Sequence, residues 1–275
     1  MQLEFAGSWH WSPVPFGAVR HDDPDYGRRF AAADRARAFV AVAEAYDRAR
    51  PGYPADAVRY AVGRDHGTVL DLGAGTGKLT RTVAALGYAT IAVEPDDAMR
   101  EVLAASLPEV ETLAGRAEHV PVPDASVDAV LVGQAWHWFN HARAAAEVQR
   151  ILRPGGSIAL LYNVRDERTP WVERFDAATG ETFGTELEPP QFDGVRGAPG
   201  FGPVEHRVFD HAERLQTADL RALASSFSFV ALLPDVERAA MLATVDEVAQ
   251  DAAGPDGTVE LPYRLAVVRS FVGIH

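Results

Sequence analysis

The chain has 275 residues, 47% of them hydrophobic, a formal net charge of −13 and no cysteine. Its length and apolar share suit one large domain with room for a sizeable core. The charge opposes binding to phosphate backbones and anionic lipid, and the missing thiols exclude disulfides, thiolate metal sites and cysteine nucleophiles.

Met1 to Tyr26 is rich in Trp, Pro and His and carries no clear period. An arginine-rich stretch, Arg28 to Arg50, alternates with Ala, Asp and Glu and reads as a solvated helix face. Within it Phe39, Val42 and Tyr46 are spaced to share one side of a helix over Phe30 to Ala49. ARPGYP breaks that helix, and Pro54 with Asp56 opens a second one that runs to about Val62. From Thr68 strands and helices alternate. TVLDLG (Thr68–Gly73) is an apolar strand, Lys78 to Leu86 a helix closed by Gly87, and ATIAVEP (Ala89–Pro95) the next strand. Asp96 and Asp97 cap a helix to about Ser106. Val110–Gly115, Ser126–Ala135 and Ser157–Asn163 supply three more strands, with a helix from His141 to Leu152 before the last of them. Near-continuous apolar strands alternating with helices predict an α/β fold, a mostly parallel sheet covered on both faces. Arg165 to Gly202 loses the rhythm and is long enough to cap a site, with Trp171 and Phe192 as apolar candidates for its inner wall. Val204–Phe209 and Thr258–Phe271 are later strand-like runs flanking more helix.

The first strand runs into DLGAGTGKLT, where three loop types compete. A P-loop needs GxxxxGK followed by Ser or Thr, but Leu72 and Leu79 occupy two of its required positions. A dinucleotide fingerprint needs GxGxxG, and Lys78, the sole lysine, stands at the third glycine. The DxGxGxG pattern is complete, with Asp71, Gly73, Gly75 and Gly77. Glycines there let backbone approach a ligand, and the helix starting at Lys78 offers its N-terminus to a carboxylate. Asp71 can attract an ammonium group. Glu94 closes the second strand about twenty residues on, where an acid accepts from both hydroxyls of a ribose. A ligand with an amino acid at one end and a ribose in its middle is S-adenosylmethionine.

DLGAGTGKLT, VEPDDAM, AGRAEHVPVPDASVDAVLVGQAWHWF and LRPGG together resemble a class I S-adenosylmethionine-dependent methyltransferase. More narrowly, the sequence is similar to the group that includes trans-aconitate methyltransferase, with YDRARPGYP matching that group's Y…RPxYP segment. The resemblance implies a Rossmann-like fold and places Asp71 and the loop Gly73, Ala74, Gly75, Gly77 at the methionine end. It puts Glu94, with Pro95 beside it, at the ribose. It puts Met99 against adenine, with the Ala117 N–H and Glu118 at the ring edge. Gln134 lies by the methionine portion, and Tyr46, Arg50 and Tyr53 belong to a lid. Arg116 stands where many relatives have an acid or small polar residue. Packing alone remains an alternative for Met99 and Tyr46, and a surface charge for Arg50.

Methyl transfer from a sulfonium is an in-line displacement, which needs alignment and exclusion of water. No convincing metal spacing is present, since His137 and His141 straddle a strand-to-helix junction without a supporting carboxylate pattern. A carboxylate acceptor needs no base, whereas a hydroxyl gains from one, and His137 is the candidate. It has two other readings, shaping the pocket and simple packing. The expected partition is an N-terminal extension over 1–29 and a methyltransferase domain over 30–275. Within the latter, 30–66 would be lid helices, 67–164 the cofactor-binding core, 165–203 a cap and 204–275 the completion of the sheet. The expected activity is methylation of a small molecule at oxygen, by a cytoplasmic monomer or homodimer with no nucleic-acid or membrane partner. Rival readings are a nicotinamide oxidoreductase and a cofactor-binding protein that does not transfer methyl groups.

Overall fold

In the computed structural model, residues 50–180, 194–225, 227, 230 and 233–273 are described. The expectations for Met1 to Ala49, which include Tyr46, and for Phe192 fall on residues outside these. Helix α1 (Ala55–Val62) precedes strand β1 (Thr68–Leu72). Then come α2 (Lys78–Ala85), β2 (Ala89–Val93), α3 (Asp97–Ser106), β3 (Glu111–Leu113) and β4 (Val127–Gly133). A short 3-10 turn (Trp136–Trp138) leads to α4 (His141–Ile151), β5 (Leu152–Arg165) and α5 (Pro170–Thr179). Strand β6 (Glu205–Gln216), α6 (Thr217–Ser225), α7 (Asp235–Ala252) and β7 (Thr258–Phe271) complete the order.

The strands form one seven-stranded sheet in the order β3-β2-β1-β4-β5-β7-β6. Strands β1 to β5 pair in parallel, while β7 runs antiparallel to both β5 and β6. The doubly wound α/β architecture read from the sequence is therefore present. Chain growth runs outward from β1 to β3, then returns to lay β4 on the other side of β1. Ligands of open α/β sheets bind at such a reversal, beyond the carboxyl ends of the strands.

Strand period decides the two faces. Val69, Leu131, Ala159, Leu161, Leu265 and Val267 point toward α1 and α2 and bury Ala57, Val58, Ala61 and Val83. Leu70, Leu72, Val130, Val132, Ile158, Leu160 and Val268 point the other way and bury Ala144, Val148 and Ile151 of α4. A separate apolar cluster joins Val172 and Phe175 of α5, Leu220 and Leu223 of α6, and Leu242, Val245 and Val248 of α7. It also takes in Leu215, at the end of β6, and Val259, Leu261 and Tyr263, at the start of β7. These strand segments lie on the edge where β5 ends, so the helical cluster extends the sheet on its ligand-facing side.

Two elements differ most from their predicted bounds. Strand β5 begins at Leu152, which pairs with Val127 before a register shift, so the Pro154–Gly156 run interrupts a strand instead of preceding one. Strand β6 continues past Phe209 to Gln216 because β7 pairs with it along its whole length. It is an edge strand with one open face, and its second half, Asp210 to Gln216, is mostly polar, which hides it from a hydrophobic pattern. Among the described residues no helix is long and apolar enough to cross a membrane.

Candidate active site

The loop after β1 turns through three glycines with positive φ: 74° at Gly73, 55° at Gly75 and 91° at Gly77. L-residues avoid this region because Cβ crowds the backbone. Space restricts two of them further. A Cβ on Gly73 would lie 2.9 Å from Cβ of Ala135 and 3.2 Å from Cζ of Phe139, and one on Gly77 would lie 3.0 Å from Cγ of Leu103. At Gly75 the nearest atom to such a Cβ is Sδ of Met99, 3.9 Å away. Gly75 is thus the member of the loop with room beside it. The N–H groups of Gly73 and Ala74 both donate to the carbonyl of Val93, at 2.8 and 3.1 Å, which pins the loop to the end of β2.

Two acids lie under this turn. Glu94 is 6% exposed, and its two oxygens accept from the N–H groups of Gly75 (2.8 Å) and Asp96 (2.9 Å). Asp96 in turn caps α3, its side chain accepting from the N–H of Met99, so the ends of β2 and α3 and the glycine loop form one hydrogen-bonded unit. Burial raises the Glu94 pKa against the lowering effect of those two N–H groups. Asp71 is 1% exposed and accepts from the Thr80 hydroxyl at 2.6 Å. Its pKa is pushed up to about 7, first by burial, and also by the Glu94 charge, against the Thr80 hydrogen bonds. Its carboxylate, directly before the glycine loop, is thereby tied by Thr80 to the first turn of α2.

After β4 the chain turns at Gln134, whose φ is 56°. Its N–H donates to the carbonyl of Leu161 and its Nε2 to the carbonyl of Asn163, both at 3.0 Å. Trp136 is fully buried, its ring stacked on His141 at 5.5 Å and edge-on to Phe139 at 5.6 Å. Trp138, by contrast, is 56% exposed. His137 packs against Trp138 and places Nδ1 3.3 Å from the hydroxyl of Tyr162. As a residue His137 is exposed, yet its ring lies among aromatic neighbours. Loss of hydration, then the charge of His141, lower its pKa to about 4. Burial also raises the Tyr162 hydroxyl well above the ordinary range.

The remaining predicted residues divide by position. Met99 and Pro95 border the glycine loop and the Glu94 turn, whereas Ala117 is packed in the core face beside α4. Glu118 accepts from the N–H of Asn140 at 2.7 Å, tying the segment after β3 to the turn after β4. Tyr53 lies over Gly133, since a Cβ there would come within 2.6 Å of its hydroxyl. Arg50 stands farther out, its guanidinium 5.5 Å from the ring centre of Phe227 in the helical cluster. Several residues at this edge escaped sequence reasoning: Thr80 beneath Asp71, Tyr162 beside His137, Asn163 and His211, and the buried ion pair of Arg165 with Asp176. A polar residue closing an apolar strand run, as Asn163 does, is a signal that could have found one of them.

The arrangement has the features needed to hold an S-adenosylmethionine-like molecule. A glycine with open space stands beside a buried carboxylate whose oxygens each retain a lone pair, with a helix N-terminus next to both.

Residues 70–160 match a family model described as a methyltransferase domain. An uncharacterised methyltransferase of Mycobacterium tuberculosis is 38% identical over 239 residues, which span 86% of this chain and 96% of that protein. One from Schizosaccharomyces pombe is 34% identical over 231 residues, 81% of this chain and 91% of that protein. A solved structure from Anaeromyxobacter dehalogenans, described as a proposed type II methyltransferase, superposes with a TM-score of 0.61. It is 24% identical and covers 82% of this chain and 99% of its own, a likeness of fold.

Proposed function

The chain belongs to the S-adenosylmethionine-dependent methyltransferases, and from that premise we propose that it methylates a small molecule at an oxygen, either a carboxylate or a hydroxyl. One observation carries this reading. The glycine loop, Glu94 and the Gln134–His137 turn converge on the sheet edge that the α5–α7 cluster extends. A sheet edge flanked by a folded helical cluster suits a small acceptor better than a polymer. The charge of −13 also disfavours a nucleic-acid acceptor. In this reading the protein works in the cytoplasm as a monomer or homodimer.

S-adenosylmethionine, when bound, supplies an electrophilic methyl group on a sulfonium, so the protein's task is placement and exclusion of water. Residues Gly73 to Gly77 and the N-terminus of α2 would receive the methionine carboxylate. Glu94 would accept from the ribose hydroxyls while keeping its bonds to Gly75 and Asp96, and Pro95 would border it. Met99 would lie on the adenine face, with the Ala117 N–H and Glu118 at the ring edge. Gln134 would border the methionine portion, and Tyr46, Arg50 and Tyr53 would cover the site. Asp71, held in place by Thr80, would attract the ammonium group of the methionine end. His137, neutral near pH 7, would accept a proton from a hydroxyl acceptor or wall the pocket. A carboxylate acceptor needs no proton transfer.

Calorimetric titration with S-adenosylmethionine and NAD tests the cofactor, and Glu94→Ala should weaken S-adenosylmethionine binding at least tenfold. Incubation with methyl-labelled cofactor and a small-molecule extract tests the acceptor. Label recovered on a small ester or ether is expected. Label on nucleic acid or protein, or on carbon or nitrogen of a small molecule, would overturn the acceptor assignment.

A further inference from the structure

A hydrogen-bonded hub lies beside the cofactor loop, and no role yet described accounts for it. Asn163, near the end of β5, is 5% exposed. Its Nδ2 donates to the carbonyl of Gly52 at 3.0 Å, and its Oδ1 meets Nε2 of His211 at 2.7 Å. Its own carbonyl accepts from Nε2 of Gln134. One residue thereby joins the turn after β4, the Arg50–Tyr53 strap before α1, and strand β6. The strap is held a second time by β6, where the Gly52 N–H donates to Glu213 at 2.8 Å.

Chemistry leaves this hub little freedom. The Gly52 carbonyl can only accept, so the amide nitrogen of Asn163 must face it. The amide oxygen then faces His211, whose Nε2 must carry the proton. The imidazole is held flat on Tyr263, with ring centres 5.5 Å apart and planes 19° from parallel. Gln134 needs such support. Its backbone is in the left-handed region, a conformation a non-glycine residue keeps only where its surroundings over-determine it. Tyr53, at the other end of the strap, covers Gly133 directly before Gln134.

We propose that Asn163 is a positioning residue for methyl transfer, locking Gln134 and the Gly52–Tyr53 strap into one arrangement over the cofactor, with His211 setting its amide orientation. The inference rests on the cofactor placement proposed above. It predicts that strap closure and Gln134 placement are lost together, because the Asn163 side chain fixes the strap and, through it, the main-chain carbonyl that Gln134 meets.

The test uses the full chain and S-adenosylhomocysteine as the probe, with calorimetric affinity and hydrogen exchange at the Gly52 and Tyr53 amides as readouts. Asn163→Asp turns an acceptor toward the Gly52 carbonyl. It should weaken binding by about tenfold or more and abolish the ligand-dependent protection of those two amides. His211→Leu removes the donor that orients the amide and should weaken binding roughly threefold to tenfold. His211→Gln restores an N–H donor without a titratable group and should recover affinity to within about twofold of the parent. Recovery by Gln separates this role from proton transfer. Wild-type affinity in both Asn163→Asp and His211→Leu would overturn the proposal, as would His211→Gln remaining as weak as His211→Leu. If Asn163→Asp does not fold, the His211 pair on the half-buried edge strand decides the question alone. A parent protein that fails to bind S-adenosylhomocysteine would instead sink the cofactor placement. Normal parent binding with the expected Glu94→Ala loss would confine any failure to Asn163.

Discussion

Replacing Asp71 with Asn should make the ligand-free protein more stable at alkaline pH. The carboxyl is 1% exposed and its pKa is raised from the ordinary 3.8 to about 7, with burial as the leading cause. Between those values the folded state binds a proton that the unfolded state has released. Stability contributed by this group is therefore full below about pH 4, falls as pH rises, and stays low above about pH 7. A rise of roughly three pH units corresponds to about 4 kcal/mol at most. Asn is isosteric and keeps an acceptor for the Thr80 hydroxyl, now 2.6 Å from the carboxylate. It also introduces an NH2 group that has to find a partner, at a cost of about 1–3 kcal/mol. The net gain at pH 8.5 should be about 1–3 kcal/mol, which for a chain of this size is a Tm rise of roughly 2–10 °C. At pH 4.5 the gain should vanish or reverse. Thermal unfolding of both proteins between pH 4.5 and 9, without ligand, measures it. An Asn variant that is less stable by the same margin at every pH would refute the reasoning, because Asp71 would then carry no desolvation penalty. S-adenosylmethionine binding should weaken in the same variant, so stability and affinity move in opposite directions.

Gly73→Ala places a methyl 2.9 Å from Ala135 at a φ of 74°, and should cost about 2–4 kcal/mol in chemical denaturation. Gly87→Ala, at φ 86° with nothing within 4 Å, should cost only about 1 kcal/mol; equal losses would mean that contact with Ala135 is unimportant. Arg165→Leu strips the buried Asp176 of its ion-pair partner and should destabilise by about 3–5 kcal/mol, with the Arg165→Leu/Asp176→Leu double variant recovering much of the loss. Should His137 accept the substrate proton, the rate would fall in acid with a midpoint near 4, since protonated imidazole cannot accept. His137→Gln would remove that limb, and a limb near 6.5 that survives the substitution would assign it to another group.

Much of the fold was legible in the sequence because its signals are local. An apolar run such as TVLDL, followed by glycines and an amphipathic stretch, reads as strand, turn and helix whatever surrounds it. Asp96 as a cap and Gly87 as a stop depend on backbone a few residues away, and the helices before and after them end near the predicted positions. The spacing of Glu94 from the glycine loop is likewise fixed by one helix and one strand. Edge strand β6 was legible only in its first half, because with one open face it had no reason to stay apolar.

The sequence by itself therefore determined the alternating α/β order, the glycine turn and the acid at the end of β2, since short-range sterics and periodicity set all three. Tertiary structure decided what these residues meet. Gly73 must stay small because Phe139 and Ala135, 62 or more positions away, pack against it. Asp71 turns to Thr80, and Asn163 joins three segments that are distant in the chain. Trp136, His137 and Trp138 are consecutive in the sequence, but the structure buries Trp136, exposes Trp138 and sets His137 on Tyr162. Burial and hydrogen-bond partners come from the side-by-side placement of strands β1, β4, β5, β7 and β6, and no local pattern encodes that order.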